Sequence, residues 1–280
     1  SVAQDPTGAM FSMMQLKDYP GRAQLGMAPG NFGWSELATR DTARSKAFYT
    51  ELFGWDAEDV TTDQGSPYTM LLNSGRRVCA LFPLAPDMGD NARWHSYISV
   101  ADANAAADSA VAMGGKLTMP PMDVTRAGRL AVIEDPTGAA VGLWQAREHA
   151  GADLLNEPGA QCWLELQTRD KDRAAEFYGG LMGWTRRVSR SVMDGRYEIF
   201  VSDGKEVGGM LQIEQNWGPV APNWSVYFGV EDCDGAVAEA VRLGGKALFP
   251  AMDVENVGRF AFLQDPQGAV FAVIELAHPA

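Results

Sequence analysis

Basic side chains are scarce in this sequence. Its 280 residues include 23 Lys and Arg against 36 Asp and Glu, which gives a formal net charge of −13. Nucleic-acid binding needs surfaces dense in Lys and Arg, so we expect no nucleic-acid partner. The acidity suits either solubility or the attraction of a cationic ligand, and charge alone does not choose between them.

Cysteine and long apolar runs are also few. Three scattered cysteines, Cys79, Cys162 and Cys233, form no C-x-x-C pair, which argues against a disulfide framework and fits a reducing compartment. No apolar run approaches the roughly 20 residues that span a bilayer, and the N-terminus lacks the basic and apolar segments of a signal peptide. We therefore expect a cytoplasmic protein with no membrane partner.

The sequence does contain a long internal repeat. Shifted by 129 positions, Trp34 to Trp55 falls on Trp163 to Trp184, and 12 of those 22 positions are identical. Further along, at a shift of 130, the Asp135-Pro-Thr-Gly-Ala motif falls on Asp265-Pro-Gln-Gly-Ala. Self-similarity of this kind predicts a tandem duplication, because each copy is expected to fold as one structural unit.

The same shift explains the first residues. Val2 to Gln15 matches Val132 to Gln145, the end of the first full copy. We therefore predict that residues 1–29 hold the last hairpin of a preceding repeat and a linker, followed by domains at 30–147 and 158–277. The hairpin is either the end of a further copy or a vestige that packs on its neighbour.

Each copy is predicted to contain two strand–helix–strand–strand–strand units, four in the chain. Trp34 to Thr39 alternates like a strand, and Asp41 is placed to cap a helix that Gly54 ends. Later in the copy, strands are predicted over Trp94 to Val100, Leu130 to Ile133 and Ala139 to Trp144, and Ala103 to Met113 is predicted to be helical.

Each copy combines four short motifs: R-D before the first helix, F-Y within it, G-W after it and a closing D-P-x-G turn. This combination resembles the vicinal oxygen chelate superfamily, which includes glyoxalase I, extradiol dioxygenases and bleomycin-resistance proteins. The resemblance covers Trp34 to Leu276. It implies an α+β fold in which tandem βαβββ units pair into two curved, cup-shaped sheets. It also implies that pairs of units can form between chains, so a homodimer is one expected assembly.

Metal-binding members of that family place His, Gln or Glu on the opening and closing strands of each unit. At those positions this chain carries Trp34 and Trp163, His95 and Ser225, and Gly142 and Ala272. Tryptophan only donates, and a single histidine does not make a metal site. We therefore expect no metal and no other cofactor. The two remaining histidines, His149 and His278, fall in the linker and the tail.

Strand alternation identifies the side chains expected to line the two cups. The first cup is predicted to hold Trp34, Glu36, His95, Tyr97 and Trp144, and the second Trp163, Glu165 and Tyr227 with Ser225 at its rim.

Two questions about these residues remain open. The aromatic side chains either fill the space of a lost metal or stack on a ligand. The inward glutamates either pair with Arg129 and Arg259 or act on a ligand.

The leading functional hypothesis is metal-independent binding of a hydrophobic aromatic, and in one version cationic, small molecule such as an antibiotic. Sequestration would make the chain a resistance-type protein, and delivery would make it a biosynthesis accessory. The alternative is an enzyme without a metal, performing isomerase, lyase or hydroxylase chemistry with Glu36, His95 or Tyr97 as acid and base. A third possibility is a module that supports a partner enzyme. Whether the chain is an enzyme is left undecided by the sequence.

Overall fold

A computed structural model describes residues 2–4, 10–12, 26–61, 65–85, 92–189, 196–217, 219–254 and 257–277. His278, which the sequence assigns to the tail, lies outside the described residues. At the start of the chain, strands β1 (Val2–Gln4) and β2 (Met10–Ser12) pair antiparallel. Val2 faces Ser12 there, in the register that Val132 and Gly142 adopt at the matching positions of the first full copy.

Repeat one, residues 32–146, forms one eight-stranded sheet with two helices. The strand order is β4-β5-β6-β3-β7-β10-β9-β8. The elements are β3 (Phe32–Thr39), α1 (Thr42–Phe53), β4 (Asp56–Thr61), β5 (Pro67–Asn73), β6 (Arg76–Pro83), β7 (Arg93–Ser99), α2 (Ala103–Ala112), β8 (Lys116–Val124), β9 (Gly128–Glu134) and β10 (Ala140–Ala146).

Repeat two, residues 161–276, forms the equivalent sheet in the order β12-β13-β14-β11-β15-β19-β18-β16, with β17 also paired to β18. Its elements are β11 (Gln161–Thr168), α3 (Lys171–Met182), β12 (Thr185–Val188), β13 (Glu198–Ser202), β14 (Lys205–Gln212), β15 (Asn223–Gly229), α4 (Cys233–Arg242), β16 (Lys246–Ala247), β17 (Met252–Val254), β18 (Gly258–Gln264) and β19 (Val270–Leu276).

The predicted α+β architecture of duplicated βαβββ units is confirmed, and the structure shows how the units pair. In each repeat the opening strands of the two units lie side by side and antiparallel, as β3 with β7 and β11 with β15. The two units of one repeat therefore build one sheet.

Local capping explains where the first helix of each repeat begins and ends. The Asp41 carboxylate accepts a hydrogen bond from the Arg44 amide at 3.0 Å, as an N-cap should. At the other end, Gly54 adopts the left-handed backbone conformation with φ of +67°, which stops the helix. Asp170 and Gly183 have the same roles in repeat two.

The helices and both sheets share one hydrophobic core that extends across the two repeats. Within it, the helix tyrosine of each repeat reaches the D-P-x-G turn of the other. The Tyr49 hydroxyl donates to the Asp265 carboxylate, and the Tyr178 hydroxyl donates to the Asp135 carboxylate, both at 3.1 Å. We call these two contacts the reciprocal latch. They show that the repeated F-Y and D-P-x-G motifs connect the repeats as well as shaping each one.

Among the described residues, no helix is long and apolar enough to cross a membrane.

Candidate functional site

The face of the repeat-one sheet that points away from the helices is here called cup one. Alternation along β3 sends Leu37 into the helix-side core and turns Trp34 and Glu36 to the cup. On β7, Tyr97 lies opposite Trp34 and His95 lies opposite Glu36. The two strands therefore bring together four of the five residues predicted for this cup.

The Glu36 carboxylate is the centre of a hydrogen-bond network in cup one. Its Oε1 atom accepts from Trp34 Nε1 at 2.9 Å and from the Tyr68 hydroxyl at 2.6 Å. Its Oε2 atom accepts from the Tyr97 hydroxyl at 3.0 Å. Burial raises the pKa of Glu36 above its ordinary value, and the three hydrogen bonds oppose that rise.

Tyr68 was not among the residues predicted for the site. It lies on β5, two strands from Glu36, and the intervening strand carries only the small Ala80 opposite Glu36. The signal was present in the repeat, because Tyr197 occupies the matching position at a shift of 129. Sequence reasoning considered only the opening and closing strands and so missed it.

Two glycines make room for the large rings of cup one. A Cβ atom at Gly142 would lie 2.1 Å from the Tyr97 ring, and one at Gly128 would lie 2.5 Å from the Trp144 ring. Trp144, the fifth predicted residue, packs with Trp34 and Tyr97 in one buried cluster. The Tyr97 ring thus covers Gly142, the closing-strand position at which the sequence resemblance implies a metal ligand.

The segment that follows repeat one closes the Trp34 end of the cup. The His149 ring meets Trp34 edge to face at a centroid distance of 4.6 Å and lies 5.9 Å from Trp144. The Arg77 guanidinium holds this segment with two hydrogen bonds of 2.7 Å to Asp153. Residues 147–154, here called the strap, therefore form part of the cup, although the sequence placed His149 in a mere linker.

His149 sits in this position with its ring nitrogens unused. In the described part of the chain, neither Nδ1 nor Nε2 has a hydrogen-bond partner, and both are buried. Burial lowers the pKa of His149 to about 4, so the ring is neutral near pH 7. Burying an imidazole whose nitrogens have no hydrogen-bond partners raises the free energy of the folded state.

The other end of cup one is more open. Glu36, His95 and Tyr68 are all partly exposed there, whereas Trp34 is only 3% exposed. His95 Nε2 is buried and has no partner among the described residues. Burial, followed by the nearby charge of Arg93, lowers the pKa of His95 to about 4, which leaves a neutral imidazole. Such a ring is a poor base near pH 7 but a good hydrogen-bonding group.

Repeat two carries the related arrangement, here called cup two, with a different pattern of hydrogen bonds. Trp163 Nε1 donates to the Tyr197 hydroxyl at 2.8 Å rather than to the glutamate. Glu165 accepts hydrogen bonds from Gln167, Tyr197 and Tyr227, and burial raises its pKa. Glu165 is only 4% exposed, so this carboxylate is less accessible than Glu36.

One of the alternatives left open for the inward glutamates, pairing with an arginine, does not hold. Arg129 does not pair with Glu36 but with Asp123 at 3.0 Å, and Arg259 pairs with Asp234 and Asp253 at 2.9 Å. Each arginine lies on the strand face that turns towards its neighbouring helix instead of the cup.

Ser225 was placed at the rim of cup two, but it is only 5% exposed. Its hydroxyl donates to Asn223 at 2.8 Å, so the chain itself already satisfies this group.

Comparisons with known proteins identify the fold. Residues 31–143 match the model of the Glyoxalase/Bleomycin resistance protein/Dioxygenase superfamily, and residues 163–274 match that of the Glyoxalase-like domain. The chain belongs to this superfamily. It is 40% identical over 252 residues to the putative glyoxylase CFP32 of Mycobacterium tuberculosis, covering 89% of this chain and 95% of the relative. It is 36% identical to the anthracycline biosynthesis protein DauV of Streptomyces sp. strain C5, covering 90% and 96%.

Solved structures of the superfamily share the fold at low sequence identity. The Mn(II)-bound glyoxalase from Novosphingobium aromaticivorans superposes with a TM-score of 0.60 at 16% identity, covering 90% of this chain and 86% of that one. The 2,3-dioxygenase LapB from Pseudomonas sp. KL28 gives 0.61 at 14%, covering 92% and 96%. These likenesses support the architecture and carry no information about substrate.

The residues at the superfamily's metal positions do not fit a metal ion. Trp34 has only an N–H to offer, and it is used on Glu36. The closing-strand position, Gly142, has no side chain and lies under the Tyr97 ring. Within the described ranges, no three His, Cys, Asp or Glu side chains meet as a metal site would require. The donor chemistry of cup one therefore differs from that of a metal-dependent member.

Proposed function

We propose that the chain binds a flat aromatic small molecule in cup one, without a metal, as a sequestering or biosynthesis-accessory protein. The observation that carries this proposal is the position of the His149 ring. A planar ring from the strap already occupies the space against Trp34 and Trp144, yet neither of its nitrogens has a hydrogen-bond partner among the described residues. A ligand ring in that place would keep the aromatic contact and release an unsatisfied imidazole.

The floor of the cup is fixed in advance for such a ligand. Trp34 is held by its hydrogen bond to Glu36, and Tyr97 is held by Glu36 and by its close fit over Gly142. Rings that are already ordered lose little conformational entropy when a ligand binds, which favours affinity. One relative, DauV, is named as an anthracycline biosynthesis protein, and this is consistent with a role in handling an aromatic product.

A positive charge on the ligand is a secondary element of the proposal. The net charge of −13 would attract a cation over a distance. In the cup, however, Glu36 already accepts three hydrogen bonds from neutral donors. The carboxylate therefore has less need of a cationic partner than a bare buried acid would have.

Fluorescence titration of the full chain tests the proposal. Doxorubicin, a cationic anthracycline, and neutral 2-hydroxyanthraquinone are the probes, each with and without EDTA. We expect saturable quenching that EDTA leaves unchanged and that Trp34→Phe weakens by about tenfold or more. The matched variant Trp163→Phe, in cup two, should bind as the unaltered protein does. The proposal is contradicted if neither probe shows saturable binding, or if the binding is lost with EDTA.

The raised pKa of Glu36 favours a second candidate, acid–base catalysis on the bound molecule. A buried carboxyl with a raised pKa is a better proton acceptor than an exposed one. Tyr97 is in direct hydrogen-bond contact with it and could relay the proton. Chromatography of probes incubated with the protein would detect conversion; the enzymatic candidate requires conversion that persists in EDTA and is lost in Glu36→Gln.

A further inference from the structure

Repeat two contains a complete chain of polar contacts along the inner face of cup two. Ser225 Oγ donates to Asn223 Oδ1 at 2.8 Å, and Asn223 Nδ2 donates to Gln167 Oε1 at 3.4 Å. Gln167 Nε2 then donates to Glu165 Oε1 at 3.2 Å. The Gln167 amide thus connects the carboxylate to the neighbouring strand, and it does so by donating and accepting at once.

Repeat one has different residues at the same three positions and does not complete that chain. Ala38 stands at the position of Gln167, Arg93 at that of Asn223, and His95 at that of Ser225. His95 Nε2 is buried without a partner in the described part of the chain. Glu36 accepts three hydrogen bonds, and a carboxylate offers about four acceptor sites. Both ends of the contact chain are present in cup one, but neither of the two amides that join them in cup two is, so the bridging group is missing.

We propose that the ligand of cup one supplies this group itself, as a phenolic hydroxyl or a primary carboxamide hydrogen-bonded to His95 Nε2 and to the remaining acceptor site of Glu36. The inference rests on the proposed function and assigns the polar part of the ligand.

The required chemistry follows from the two partners. Ionised Glu36 only accepts, so the ligand group must donate to it. His95 is neutral, because burial and the charge of Arg93 lower its pKa to about 4, and its Nε2 atom accepts or donates according to the tautomer. A hydroxyl or a carboxamide both donates and accepts and satisfies either tautomer. An ether accepts only and cannot serve Glu36.

Three matched anthraquinones test this inference on the full chain. The probes are 2-hydroxyanthraquinone, anthraquinone-2-carboxamide and 2-methoxyanthraquinone, which differ in donor ability and share the ring system. We expect the hydroxyl compound, the carboxamide or both to bind at least about tenfold more tightly than the methoxy compound. The stronger of the two identifies the preferred group.

Variants at equivalent positions show whether His95 is responsible. His95→Ser installs the residue that repeat two carries, and we expect it to reduce the preference to less than about threefold. Its far-ultraviolet circular dichroism should match that of the unaltered protein, which shows that the variant is folded. Ser225→Ala, in cup two, should keep the full preference.

Equal binding of all three probes, or a preference that persists in His95→Ser, overturns this inference and leaves the proposed function intact. If none of the three probes nor doxorubicin binds, the proposed function fails, and this inference fails with it.

Discussion

At the scale of single residues, the missing side chain of Gly142 decides how the cup is filled. A methyl group there would overlap the Tyr97 ring, whose hydroxyl is one of the three donors to Glu36. The matching residue of repeat two is Ala272, so the sister ring, Tyr227, tolerates a Cβ at that place. Small differences at one backbone position therefore give the two cups different packing.

We predict that Gly142→Ala destabilises the protein by about 1–3 kcal/mol, because Tyr97 must move from its rotamer and weaken its bond to Glu36. Urea unfolding followed by circular dichroism measures the change. The comparison variant Ala272→Gly removes a methyl group in place of adding one and should cost only about 0.5–1 kcal/mol. Equal stability of Gly142→Ala and the unaltered protein would show that the Tyr97 ring does not lie over this position.

Residue chemistry also sets the limit of sequence prediction at the site. Trp34, Glu36, His95 and Tyr97 could be placed together because strand alternation and the repeat fix their face. The hydrogen-bond partners of Glu36 could not be predicted from the sequence. A buried acid can be satisfied by an arginine or by neutral donors, and the composition does not show which of the two is used. The structure selects neutral donors, including Tyr68 from a strand that alternation alone does not connect to β3.

At the scale of elements, the strap is the segment whose role was hardest to predict. It has no helix or strand periodicity, so the sequence marks it only as a connection. Its position depends on long-range contacts: Asp153 is bound by Arg77, and the Ala152 amide donates to the Gly33 carbonyl at 3.0 Å. By contrast, helices with an aspartate cap and a glycine end, and strands with clear alternation, are predictable because their signals are local.

We predict that acid opens the strap. His149 has a pKa of about 4 in the closed strap and about 6.5 when exposed, so the closed form binds fewer protons. Closure is therefore favoured above pH 6.5 and is progressively lost as the pH falls from about 6.5 towards 4. Each unit of the pKa difference changes the equilibrium up to about tenfold.

Acrylamide quenching of Trp34 measures this opening, with Trp34→Phe subtracted as the reference. Quenching should increase several-fold between pH 7 and pH 4.5 and should change much less in His149→Phe, whose ring does not titrate. Arg77 and Asp153, the charges that act on His149, are the same in both proteins. Identical pH profiles for the two proteins would show that His149 does not control the strap.

At the scale of the whole molecule, the reciprocal latch makes the two repeats interdependent. The Tyr178 hydroxyl accepts from Trp224 at 2.8 Å while donating to Asp135, so it serves two buried groups from different repeats. The duplication and the fold were predictable, because the motifs are long and repeated. The contact of these motifs across the interface between the repeats was not predictable. The same motifs would have the same sequence in two domains that do not touch.

We predict that Tyr178→Phe and Tyr49→Phe each lower the free energy of unfolding by about 1–3 kcal/mol, because each removes one donor to a buried carboxylate and the acceptor of a buried tryptophan N–H. Both variants should keep one cooperative transition, since the hydrophobic core is shared between the repeats. Urea melts followed by tryptophan emission and by far-ultraviolet circular dichroism check this. Two separate transitions would mean that the repeats unfold independently.

The strap also shows one consequence of joining the two copies in a single chain. Two unlinked copies related by symmetry would have identical cups, each open or closed to the same extent. Here the connecting residues cross one cup, because they must leave β10 beside Trp144 on their way to repeat two. Covalent joining thus gives cup one a wall that lies outside both repeats, so a change in the connection alone can alter this cup.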